Sequence, residues 1–122
     1  MKKGKSTKAP NALEKKRLDA IHDMPCMLCE IIGPPQPSPT ECHHLVTNGY
    51  RKHSGGHSAT IPLCGWHHRA EIPPGYKSMN SAFAWLGPSL KCQGGKGEFV
   101  KRWGTELELL AKVNEKLSAL GL

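Results

Sequence analysis

Two short ligand loops constrain this chain more than anything else in it: Cys26-x-x-Cys29 and, further along, Cys64-x-x-His67. Each loop aims two donors at one point. Two such loops from separate segments make a Cys3His shell, the tetrahedral donor set that structural zinc takes. A single Cys pair at this spacing is compatible with plain burial, but a second matching loop within 122 residues favours a shared ion. The chain also needs the help. With 38% hydrophobic residues, only three Trp, two Tyr and two Phe, and ten Pro and thirteen Gly, its core must be small and loop-rich, and metal binding supplies folding free energy to such domains. Five cysteines is an odd number, which suits thiolates in a reducing compartment better than a disulfide framework. Cys42 reads as a packed strand residue and Cys92 as a free thiol in a Gly-rich loop.

Seventeen Lys and Arg against ten Asp and Glu leave a net charge of +7, which favours a polyanionic partner. Much of the excess is at the front, where Lys2, Lys3, Lys5, Lys8, Lys15, Lys16 and Arg17 face only Glu14. Residues 1–9 have the composition of a disordered basic arm, and residues 10–122 suffice for one domain. The arm has no apolar run, and no later segment approaches the ~20 apolar residues of a membrane span. A soluble, intracellular protein with no membrane partner is expected.

A helix is predicted after Pro10 and Asn11, with Glu14 as capping-box partner and Leu13, Leu18 and Ile21 on one face, ending near Pro25. Residues 33–39 (GPPQPSP) form a stiff surface connection. Strands are expected over 42–46 and 60–63, joined by a long solvent-facing loop over 47–59. A helix over 65–72 is stopped by Pro73 and Pro74, and 78–86 form a further turn or two closed by Gly87 and Pro88. The last helix is the clearest, with Thr105 and Glu108 as a capping box and Leu107, Leu110, Val113, Leu117 and Leu120 repeating every three to four residues before Gly121. The class is α+β, a small zinc-stabilised domain with a long hairpin, flanking helices and a C-terminal amphipathic helix.

Once Cys26, Cys29, Cys64 and His67 are assigned to zinc, His43, His44 and His68 are left over. Successive strand residues face opposite ways, so one of His43 and His44 can hold a metal while the other does something else. The order Cys-x-x-Cys, then His-His on a first strand, a loop, an apolar strand ending in Leu63-Cys64, and His67-His68 opening a helix resembles the HNH endonucleases with their ββα-metal, treble-clef-like fold. The stretches 60–69 (TIPLCGWHHR) and 98–110 (EFVKRWGTELELL) look most like the phage-type RecA-dependent, recombination-enhancement group of that family. The resemblance covers roughly residues 20–113, and the basic arm is similar to that group's N-terminus.

The resemblance implies a metal-dependent hydrolysis of DNA phosphodiesters, with His44 as general base and His43 and His68 as ligands of a second divalent ion, Mg2+, Mn2+, Zn2+ or Ni2+. It departs at one point: the Asn that gives the family its middle letter would fall near Ala59, and none is there. His57 is the nearest imidazole for a third ligand, with His53, Asn48, Glu71 and water as alternatives. Lys2, Lys3, Lys5, Lys8, Arg51, Lys52 and Arg69 are candidates for phosphate contacts. Implied partners are single- or double-stranded DNA and a RecA filament, with no nucleotide cofactor, in the cytoplasm of a bacterial host as a phage or prophage product. Two other readings fit the zinc shell, a non-catalytic zinc-finger module that binds nucleic acid and a zinc-stabilised protein adaptor. Neither accounts for three spare histidines in HNH order.

Overall fold

In a computed structural model, residues 9–33, 35–45, 58–91 and 95–122 are described. Among these residues eight elements follow in chain order. These are α1 (Ala12–Asp23), α2 (Met27–Ile32), β1 (Thr40–His44), β2 (Thr60–Cys64), α3 (Gly65–Arg69), α4 (Met79–Leu86), α5 (Gly95–Trp103) and α6 (Glu106–Ala119). The strands pair antiparallel, with Thr40 opposite Cys64, His43 opposite Ile61 and His44 opposite Thr60. The result is a small α+β fold built on one hairpin, with α3 continuing directly from β2.

Every residue of β2 is buried, because α1, α2 and α6 all pack on that strand. Ile21, Leu28, Ile61, Leu63, Trp66, Phe99, Leu109 and Val113 make the centre of the core. Asn11, Ser78 and Thr105 each close a capping box at the head of a helix, satisfying N–H groups that a helix leaves without intrahelical partners. Among the described residues no helix is long and apolar enough to cross a membrane.

Several expectations shift. The first strand begins at Thr40, two residues earlier than anticipated; Val46 and most of the 47–59 loop, including His53, His57, Asn48, Arg51 and Lys52, lie outside the described residues, as do Lys2, Lys3, Lys5, Lys8 and Cys92. The helix expected over 65–72 stops at Arg69, because Ala70 turns left-handed at φ 58° before either proline is reached. Leu13 points into water, at 78% exposure. On α6 the buried face is Glu106, Leu109, Leu110, Val113 and Leu117, leaving Leu107 and Leu120 exposed: steps of three residues drift around a 3.6-residue helix, and the face that packs against β2 is the one turned inward. Helices α2 and α5 were not anticipated. The latter starts in a Gly-rich run and shows its purpose only through Phe99 and Trp103, four residues apart on one buried face.

Arg17, one of the seven N-terminal cations, belongs to the fold. Its guanidinium donates to the Thr60 carbonyl at 2.8 Å, to Thr60 Oγ1 at 3.0 Å and to Asn114 Oδ1 at 2.9 Å, tying α1, β2 and α6 together opposite His44. Arg17→Ala is expected to lower stability by about 1.5–3 kcal/mol, the scale for hydrogen bonds to a charged group, as a shift in the urea midpoint.

Candidate metal centre and histidine cleft

The four donors predicted from spacing converge. Cys26, Cys29, Cys64 and His67 are buried, with their ligand atoms all within 4.8 Å of one another. Zn–S bonds of about 2.3 Å and a Zn–N bond of about 2.0–2.1 Å at tetrahedral angles require S···S edges near ~3.8 Å and S···N edges near ~3.6 Å. Cys29 Sγ stands 3.7 Å from Cys64 Sγ, and His67 Nδ1 stands 3.5, 3.7 and 3.3 Å from the sulfurs of Cys26, Cys29 and Cys64. These four edges match that geometry, so the cluster could hold a metal ion such as zinc.

Its surroundings orient the donors. His67 Nε2–H donates to the Leu86 carbonyl at 2.7 Å, which commits Nδ1 to the lone-pair form a metal needs. The next two carbonyls are used in the same way: Trp66 Nε1 donates to Gly87 and Trp103 Nε1 to Pro88, each at 2.9 Å. Three ring N–H groups thus hold three consecutive carbonyls at the end of α4. Gly87 is required there, since its φ is +80° and a Cβ would meet the Trp103 ring at 2.7 Å. Gly87→Ala is expected to cost about 1–3 kcal/mol through backbone strain and the clash, read as a lowered Tm.

The proline-rich connection does more than span a surface. Gln36 Oε1 accepts from the Cys26 N–H at 2.7 Å and Ser38 Oγ from the Gly65 N–H at 3.2 Å, so residues between the two ligand loops fix the backbone of both. Protons cannot share the cluster evenly. Hydrogen bonds with Cys26 and Cys64, and then burial, push the Cys29 thiol far up, while hydrogen bonds from Cys26 and Cys29 hold Cys64 far down. Burial opposes the imidazolium of His67, but contacts with Cys26 and Cys64 outweigh it and raise the ring to about 9. A dication replaces those protons and satisfies all four donors, so its uptake releases protons.

Three of the other histidines meet beside this centre. His43 and His44 at the end of β1 and His68 on α3 line one cleft of about 420 Å³, together with Cys42, Leu90, Lys91, Lys96 and Glu106. His43 is buried and His44 half-buried, as strand alternation requires, yet both border the cleft because it lies at the strand end. The His43 and His68 rings stand 5.0 Å apart, edge to face. Each has one nitrogen bound to a carboxylate: His43 Nε2 to Glu106 Oε2 at 2.6 Å, and His68 Nδ1 to Glu41 Oε1 at 2.7 Å. Burial pushes the His68 imidazole down, toward the neutral form that can ligate, against the opposing pull of Glu41. Glu41 is itself held below the usual carboxylate range, first by its hydrogen bonds from Arg69.

Other candidates go elsewhere. Arg69 pairs with Glu41 and Glu71 from a half-exposed position. Cys42 packs as expected, its thiol donating to the Leu18 carbonyl at 3.6 Å and pushed up to about 11 by burial. Among the described residues, Cys26, Cys29, Cys64 and His67 are the one group of three or more such donors that converges. Sequence reasoning missed Glu41 and Glu106; the second hid beside Glu108, where it read as helix-start chemistry.

Residues 10–118 match the family described as recombination enhancement, RecA-dependent nuclease. With almost the whole described fold inside that match, including both ligand loops, the three cleft histidines and nearly all of α6, the chain belongs to the RecA-dependent nuclease family of recombination enhancement.

Proposed function

We propose that this protein is a metal-dependent DNA endonuclease of the HNH, ββα-metal kind, acting on DNA in RecA filaments. The observation that carries the reading is the meeting of His43, His44 and His68 in one cleft on a β-β-α unit braced by the Cys3His cluster. The donor chemistry fits a divalent ion between two of them. Glu106 and Glu41 each occupy one ring nitrogen, leaving Nδ1 of His43 and Nε2 of His68 as the ligating atoms, and a carboxylate on the far side of a ligating imidazole is the usual arrangement. Bound there, Mg2+, Mn2+, Zn2+ or Ni2+ supplies Lewis acidity and takes up charge on the non-bridging phosphate oxygens.

His44 then acts as general base. The neutral imidazole takes a proton from water as the water oxygen bonds to phosphorus. The bond from phosphorus to the 3′ oxygen breaks, and that oxygen takes a proton from solvent. Lys91 borders the cleft and is suited to a phosphate beside it, a contact that carries no sequence information. Lys2, Lys3, Lys5, Lys8, Arg51, Lys52 and Arg69 remain proposed backbone contacts, and His57 a proposed third ligand. A bacterial cytoplasm, with the protein encoded by phage or prophage, fits the RecA partner.

Metal counting and cleavage test this together. The expected result is one tightly held zinc per chain and a weaker second divalent site, with cutting of RecA-coated DNA when the second ion is supplied. One ion alone and no cleavage on single-stranded, duplex or RecA-coated DNA would overturn the enzyme in favour of a zinc-finger binding module.

A further inference from the structure

Glu106 is the first residue of α6, far along the chain from the hairpin, and it is 2% exposed. A carboxylate is not carried into a protein interior without partners, because desolvation of the charge costs several kcal/mol. Here both oxygens are engaged: Oε2 takes His43 Nε2 at 2.6 Å and Oε1 takes Lys96 Nζ at 3.2 Å. Its place in the first turn of α6 also favours negative charge. The side chain, Lys96 and His43 border the same cleft.

We propose that Glu106 is a positioning residue that acts through His43, fixing its tautomer and ring orientation and so setting the affinity of the cleft for a divalent cation. This rests on the reading of His43 and His68 as cation ligands. Glu106 is not itself placed as a ligand, since its two oxygens are held by His43 and Lys96 and it does not converge with His43 and His68 as a third donor. An imidazole that donates Nε2–H to a carboxylate presents Nδ1 as a lone pair with raised basicity. Glu41 does the same for His68, but its side chain is more exposed and divided between His68 and Arg69, so solvent screens it more. The stronger hold is therefore on His43, and α6 is a working part of the cleft.

The test uses the full chain with its structural zinc loaded, and Co2+ as probe for the second site. Co2+ is titrated calorimetrically and by its visible absorption into wild type, Glu106→Gln, Glu106→Asp, His43→Ala and the His43→Ala/Glu106→Gln pair. Glu106→Gln is expected to weaken Co2+ binding 10–100-fold, the range for outer-shell partners of ligating histidines, and to alter the absorption band while structural zinc stays at one per chain. Glu106→Asp should recover part of the loss, and in the His43→Ala background the Gln substitution should have little further effect. Wild-type Co2+ affinity and spectrum in folded Glu106→Gln would overturn the proposal, as would an equal loss with and without His43. If Glu106→Gln does not fold, Glu106→Asp decides, and unchanged affinity there overturns it. Failure of wild type to take up any second ion would instead overturn the reading of the cleft, and this proposal with it.

Discussion

Cys64→Ser is expected to leave the chain without a stable fold, whereas Cys42→Ser leaves it folded. Binding of zinc to a structural site contributes about 10–16 kcal/mol at neutral pH, comparable to the ~5–15 kcal/mol of a typical domain's entire stability. The cluster also joins several elements at one point. Cys26 and Cys29 come from the head of α2, Cys64 ends β2 and His67 lies on α3, while the second nitrogen of His67 reaches the end of α4. Losing one sulfur removes the ion and unbuckles four elements at once. Cys42 holds only a long contact to the Leu18 carbonyl from a half-buried position, so its thiol is dispensable for folding. Circular dichroism and zinc content read the difference, and a strong chelator should reproduce the Cys64→Ser state in wild type. A metal-free Cys64→Ser protein with an unchanged melting curve would refute the structural role of the cluster.

His44→Ala is expected to remove cleavage by a factor on the order of 10²–10⁴, the contribution of a positioned general base, while zinc content, melting temperature and DNA binding persist. The separation is possible because of where His44 sits. It is half-buried at the strand end, bordering the cleft without belonging to the Cys3His cluster or the central core. His43→Ala should behave differently: it deletes the partner of a buried carboxylate and is expected to lower both second-ion affinity and stability. The comparison therefore distinguishes a base from a ligand. Full nicking activity in His44→Ala would sink the assignment of the base, and equal cutting of naked duplex with no RecA present would sink the filament-dependent reading.

The Cys3His centre was legible from spacing because each of its loops is local: two donors three residues apart share a turn wherever the chain places them, and only the meeting of the loops had to be inferred. The Thr105 and Glu108 capping box and the helix at 79–86 were legible for the same reason. The face of α6 was not. Leu107 and Leu110 look alike as a hydrophobic repeat, yet Leu110 is buried and Leu107 is exposed, because rotation about the helix axis is set by what the helix packs against. Helix α5 was hidden likewise, its glycines arguing for a loop until Phe99 and Trp103 found the core.

What the sequence determined by itself is the Cys3His donor set, the order of β, β and α around it and the placing of His43, His44 and His68 in that order, all carried by spacing along a few turns of chain. What only the tertiary structure decided is which distant groups those histidines meet. Glu41 lies on the same strand as His43 but serves His68, and Glu106, 63 residues beyond His43, serves His43. No period or motif links such pairs, since a carboxylate's role depends on burial and on the partner brought within 3 Å, and both are products of packing.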